Sequence, residues 1–431
     1  MRLFTFTYFS LYFILNLKKS ISEQSYVVYP FKKSKKEMKS YPEDLLQNDL
    51  EITIEIGTPP QRIDLNLRSE SYAFFVAGSE VKLPYATFNE KKSKTLSKFN
   101  NEPYTFGGQE FSRGIKINET IIVNNKPINN ISLILATELL YNESGALGLK
   151  LDYSFDYSGD GNFIYQAKKM ANFDNYAFIL KYDNDDKGEL IIGSYPHLYD
   201  NKYNEKDFIY TQVGKFKNML HWVFDFNEIK YNNNINLGII TKSLITIEFG
   251  LIQAPYSTKK FFNDNFFLNR CKEMYNFKRN VDIIHCDKNF DITKFDNVSF
   301  ILKDIDYIFN LTYKDLFIEK NDEYIFGIVF GNNMDKEENS TWILGKIFMK
   351  KYQLVFDLDK KIIGLYKNII ISDDNNNENS KGFIIILVLL IIAVIIIIGL
   401  VIYIVYYLKK NRKKRASELL DDNFDYIPTN N

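Results

Sequence analysis

Leu50-Glu51-Ile52-Thr53-Ile54-Glu55-Ile56-Gly57-Thr58-Pro59-Pro60-Gln61 is the stretch on which the fold reading turns. Its first seven residues alternate apolar and polar, the period of a strand with one buried face. Gly57 and the Thr58-Pro59-Pro60 run then break the pattern, as turn residues do. Similar strand-length pieces recur downstream, for instance Gly188-Glu189-Leu190-Ile191-Ile192-Gly193. No long amphipathic helix interrupts them, so the reading is a large all-β body. At 431 residues the chain exceeds what one compact core fills, which predicts two lobes plus accessory segments.

Both ends differ from this body. Leu3 to Leu17 is an apolar run between Arg2 and Lys18-Lys19, with Ser20-Ile21-Ser22 after it. It is short for a bilayer span and reads as a signal peptide over residues 1–22, an uncleaved N-terminal anchor being the alternative. Residues 23–47, lysine-rich from Lys32 to Lys39, read as a linker or pro-segment. Near the other end, Phe383 to Leu408 carries no charge and is almost wholly Ile, Leu and Val, the pattern of a transmembrane helix. Lys409, Lys410, Arg412, Lys413, Lys414 and Arg415 follow, which places 409–431 in the cytoplasm and the body outside it. The polar stretch 371–382 between body and span reads as a stalk. The localisation expected is therefore that of a single-pass type I membrane protein, its ectodomain extracellular or luminal.

Fifty-four basic residues balance 54 acidic ones, which argues against nucleic acid as a bulk electrostatic partner. Two cysteines, Cys271 and Cys286, would pair in a secreted compartment; two free thiols are the alternative. Asn118, Asn130, Asn142, Asn297, Asn310 and Asn339 each open a glycosylation sequon. The three histidines, His197, His221 and His285, are scattered and read as structural or exposed. No phosphate loop, nucleophile elbow or metal-ligand spacing is present, so no metal or other cofactor is expected.

Ordered fragments carry a resemblance to the pepsin-like aspartic peptidases. Ile56-Gly57-Thr58-Pro59-Pro60-Gln61 looks like the family's opening. Ser144-Gly145-Ala146-Leu147-Gly148-Leu149 resembles the segment that supports its first catalytic loop. Tyr176 to Leu180 with Gly188 to Ser194 resembles the strands closing the first lobe, and His221-Trp222 opens the second. Trp342-Ile343-Leu344-Gly345, Val355-Phe356-Asp357 and Ile363-Gly364-Leu365 resemble the C-terminal signature. The resemblance covers roughly residues 48 to 368 and implies two β lobes, 48–203 and 204–370, with a peptide-binding cleft between them.

It also implies a pair of aspartates, one per lobe, sharing a proton and a water; like charges at about 3 Å cannot both ionise. Counted from the opening motif, the first aspartate falls on Arg68, in Arg68-Ser69-Glu70-Ser71. Counted from Ala254-Pro255, the second falls on Thr246, in Thr246-Ile247-Glu248-Phe249-Gly250. The flap tyrosine matches Phe106, ahead of Gly107-Gly108, and the family's Asp after Gly345 is Lys346. The departures gather at the catalytic centre, which implies a peptidase homologue that binds peptide or protein and does not cut. An atypical active endopeptidase and a structural or adhesive surface protein are the alternatives. Glu70 and Glu248 occupy the glycine positions of the two loops; a catalytic glutamate pair is conceivable, but a side chain there should distort the loop. The preferred expectation is that Arg68 pairs with Glu248 or Glu70 across the lobes, because a buried guanidinium needs a carboxylate. The residues expected to line the cleft are Phe106, Gly107, Glu70 and Glu248.

Overall fold

The computed structural model describes residues 25–34, 41–98, 104–106, 112–140, 143–151, 162–267, 270–331, 341–368 and 399–412. The chain divides into two units, 1–368 and 369–431. Of the Phe383–Leu408 run, residues 383–398 lie outside the described residues, as do the leader 1–22 and the stalk 371–382. Residues 399–412 form a helix exposed along its length. Among the described residues no helix is long and apolar enough to cross a membrane.

The first unit is built on two large sheets. One, with 14 strands, holds most of the first half of the chain, and a second, with 11, is drawn from the second half. Leu50–Ile56 shows why these residues make strands. Ile52, Ile54 and Ile56 turn inward and are buried, while Thr53 and Glu55 keep solvent contact. Each such isoleucine contributes about 1.5–3 kcal/mol by burial. Leu50–Ile56 pairs antiparallel with Gln61–Arg68, so the turn residues Gly57 to Pro60 close a hairpin that delivers Arg68 to the strand end.

Two boundaries shift from the sequence reading. Val27–Lys33 is not a free linker: it pairs with both Lys187–Ile192 and Leu50–Ile56 and buries Val27, Tyr29 and Phe31. The 204–370 lobe is not self-contained either. Phe208–Gln212, Val355–Asp357 and Ile362–Tyr366 join the 14-stranded sheet, Val355–Asp357 pairing with Ala177–Tyr182. That shared sheet fastens the lobes. Trp222 reinforces it, its ring packed edge-on to Phe178 and Phe356 and its indole N–H donated to the Leu149 carbonyl at 2.8 Å.

Cys271 and Cys286 are directly opposed on the antiparallel strands Cys271–Asn276 and Val281–Asp287, and they form the disulfide expected.

Candidate functional site

Each lobe contains the same strand–loop–strand device. In the first, Gln61–Arg68 runs parallel to Gly145–Gly148, with Arg68 opposite Gly148, and Phe74–Ala77 returns on the other side with Phe74 opposite Leu147. In the second, Ile235–Ile245 runs parallel to Trp342–Leu344, with Ile245 opposite Leu344, and Ile252–Pro255 returns with Ile252 opposite the same Leu344. Thr246 therefore stands one step on, at Gly345, as Arg68 stands at Gly148. Both loops take six residues to return, 68 to 74 and 246 to 252. The two glycines are matched in their crowding. A Cβ on Gly148 would lie 2.5 Å from the Ser71 carbonyl oxygen, and one on Gly345 2.3 Å from that of Phe249, each the third residue past its loop position. Arg68 and Thr246 are thus equivalent by register as well as by sequence count.

Arg68 does not reach the opposite lobe. Its guanidinium bridges Asp49 at 3.1 Å and Glu143 at 3.0 Å, and Glu143 also accepts from the Asn66 amide at 2.8 Å. The expected pairing with Glu248 or Glu70 is corrected accordingly. Two carboxylates of its own lobe satisfy the charge, and Glu248 acts on it only through space. Burial works against the guanidinium charge, but Glu143, Glu248 and Asp49 together outweigh that and fix it as a cation.

The lobes meet instead through Glu248. Its carboxylate accepts the Ser69 hydroxyl at 2.5 Å, the Glu70 backbone N–H at 3.3 Å and the Thr246 hydroxyl at 2.9 Å. Ser69 in turn accepts the backbone N–H of Ile247 at 2.9 Å, so one serine is both donor and acceptor across the junction. Neither Glu70 nor Glu248 adopts a left-handed backbone, so their side chains carry no penalty of that kind. The structure brings the two glutamates together. Burial of its carboxyl and the Glu248 charge raise the pKa of Glu70, against the Thr246 hydroxyl, Arg279 and Lys150. Glu70 as a residue keeps solvent exposure, which limits that push.

The segment 41–48 crosses to the second loop. Helix Glu43–Leu46 leads to Asn48, whose N–H donates to the Glu248 carbonyl at 2.9 Å and whose side-chain amide donates to that of Ile247 at 2.8 Å. Leu46 is buried against Phe249, Leu251, Val281 and Ile283. Gly250 is required beneath it, since a Cβ there would sit 2.0 Å from the Leu45 carbonyl oxygen.

Phe106 ends the strand Tyr104–Phe106, paired to Ser112; its side chain and Gly107 lie outside the described residues, as do Asn142 and Asn339. Among the other sequon residues, Asn130 and Asn310 are exposed, Asn118 accepts the Ser132 hydroxyl, and Asn297 donates to Ser299 and Asn310. His197 is bonded to Tyr366 and His285 to Tyr41. Among the described residues no group of side chains could hold a metal ion. Sequence reading missed Asp49 and Glu143 as the partners of Arg68. Glu143 borders the Ser144-Gly145 signature, but nothing in the sequence ties it to position 68.

Two β lobes, each presenting a matched loop to a shared junction, define a bilobal, mostly β protein of pepsin-like build. A family model described as eukaryotic aspartyl protease matches residues 51–368, and the chain belongs to that family. It is also 29% identical over 120 residues to plasmepsin VII of Plasmodium falciparum (isolate NF54), a match that spans 27% of this chain and 26% of that relative.

Proposed function

We propose that the chain is a non-hydrolysing member of its family, a peptide- or protein-binding module held on a membrane by Phe383 to Leu408. The observation that carries this reading is the identity and engagement of the two loop positions. Hydrolysis by this architecture needs two carboxyls facing one water. Arg68 is a cation fixed by Asp49 and Glu143, and Thr246 supplies a hydroxyl already given to Glu248. Glu248 lies two residues further on, with three donors on its oxygens. An extended ligand can still lie between the lobes, held by main-chain hydrogen bonds and side-chain pockets.

The purified protein incubated with a peptide library at acid pH tests this directly. Bound peptides recovered intact, and lost on Phe106→Ala, support it. Binding unchanged by Phe106→Ala points to a structural or adhesive surface role.

The meeting of Glu70 and Glu248 favours one competing reading, an endopeptidase with a glutamate pair. Under it, peptides are recovered as fragments and Glu248→Gln abolishes the cutting.

A further inference from the structure

The pseudo-twofold relation extends past the loops. In the first lobe Phe74–Ala77 runs parallel to Lys126–Glu138, which pairs antiparallel with Ser112–Val123, the second arm of the hairpin that begins at Tyr104–Phe106. In the second, Ile252–Pro255 runs parallel to Ile328–Gly331, which pairs antiparallel with Val281–Asp287, the second arm of a hairpin that begins at Cys271–Asn276. The 271–287 hairpin is therefore the second lobe's counterpart of the antiparallel pair Tyr104–Phe106 and Ser112–Val123 in the first.

Three features separate it from an ordinary surface hairpin. It is rigid: the disulfide staples its base, and at its tip the Asn276 side chain accepts the Arg279 N–H at 2.9 Å. It exposes aromatic rings to water. Phe277 is 84% exposed, with the exposed Tyr275 edge-on to it at 4.6 Å. Fixed aromatic rings of this kind bind at a low ordering cost. Its first arm is also an edge. Among the described residues Cys271–Asn276 pairs only with Val281–Asp287, leaving a row of main-chain groups for another strand.

The tip is tied to the junction. Lys278 bonds Glu43 at 2.7 Å, and Glu43 opens the helix that ends on the Glu248 loop. Arg279, exposed, acts on the charge of Glu70. A basic tip beside bare aromatic rings is complementary to an apolar side chain next to a carboxylate.

We propose that the Cys271–Cys286 hairpin is a second lip of the cleft. It binds an extended peptide along its free edge, seating an aromatic ligand side chain on Tyr275 and Phe277 and a neighbouring ligand carboxylate on Arg279. This deepens the cleft-binding reading and rests on it.

The test is fluorescence anisotropy with the full-length protein in detergent and four labelled decapeptides, carrying Phe-Glu, Phe-Lys, Ala-Glu or Ala-Lys at the centre of a neutral Thr/Gln background. The Phe-Glu peptide binds tightest, by about tenfold, the effect of losing one good contact. Tyr275→Ser with Phe277→Ser removes that tenfold, and Arg279→Glu shifts the preference to Phe-Lys. Both substitutions fall on exposed side chains, so an unchanged melting temperature certifies the fold. If Phe-Glu binding persists in both variants, the hairpin proposal is overturned and cleft binding stands. Should no peptide bind, the cleft reading falls with it. Self-association that the same substitutions abolish assigns the edge to a second copy of the chain and overturns the peptide assignment.

Discussion

Replacing Arg68 with leucine removes the cation from between Asp49 and Glu143. The side chains of Asp49 and Glu143 are 27% and 11% exposed, so one carboxylate can recover some hydration and the other can recover little. Stripping one partner from a fully buried ion pair costs about 3–5 kcal/mol, and the partial exposure here reduces that to about 2–3 kcal/mol. For a body of this size that is a fall in melting temperature of about 3–4 °C. Differential scanning fluorimetry at neutral pH reads it. The double variant Arg68→Leu with Glu143→Gln regains part of the loss, because the least hydrated charge goes with the cation while the Asn66 amide keeps an acceptor. An unchanged or raised melting temperature in Arg68→Leu alone would mean that Asp49 and Glu143 do not depend on this arginine, and the account of position 68 would be wrong.

Other consequences are equally concrete. The folded pKa of Glu70 is raised, so the unfolded chain gives up that proton more readily. The sign is that native Glu70 loses stability as pH climbs from the ordinary carboxylate range through its raised value. Glu70→Gln should therefore melt higher than the parent at neutral pH and match it below about pH 4, as thermal melts across pH would record. Removing the disulfide by Cys271→Ser with Cys286→Ser opens a link spanning 15 residues, which costs about 3 kcal/mol in denaturant unfolding. Gly250→Ala drives a Cβ into the Leu45 carbonyl oxygen. The helix Glu43–Leu46 is displaced, and limited proteolysis should cut between residues 41 and 48 faster than in the parent.

Much of this architecture was legible because it rests on local signals. The alternation in Leu50–Ile56, the turn at Gly57 and the glycines at 148 and 345 each report backbone geometry that neighbouring residues dictate. The loop positions followed by counting, and the strand register returns the same two residues, Arg68 and Thr246. The partners of Arg68 were not legible. Asp49 is 19 residues away and Glu143 is 75, and side-chain pairing at such range is set by the folded sheet. The same limit hid the recruitment of Val27–Lys33 and Ile362–Tyr366 into one sheet, since periodicity tells which face of a strand is buried and not which strand lies beside it. Lysines 32 to 39 drew attention to the polar half of a segment whose other half, Val27, Tyr29 and Phe31, is core.

The most direct measurement is turnover. The purified protein and its Arg68→Asp, Thr246→Asp variant are each incubated with an acid-denatured protein substrate, and new peptide ends are counted by mass spectrometry. The account predicts none from the parent, with any gained activity confined to the variant. New ends from the parent that pepstatin suppresses would contradict it.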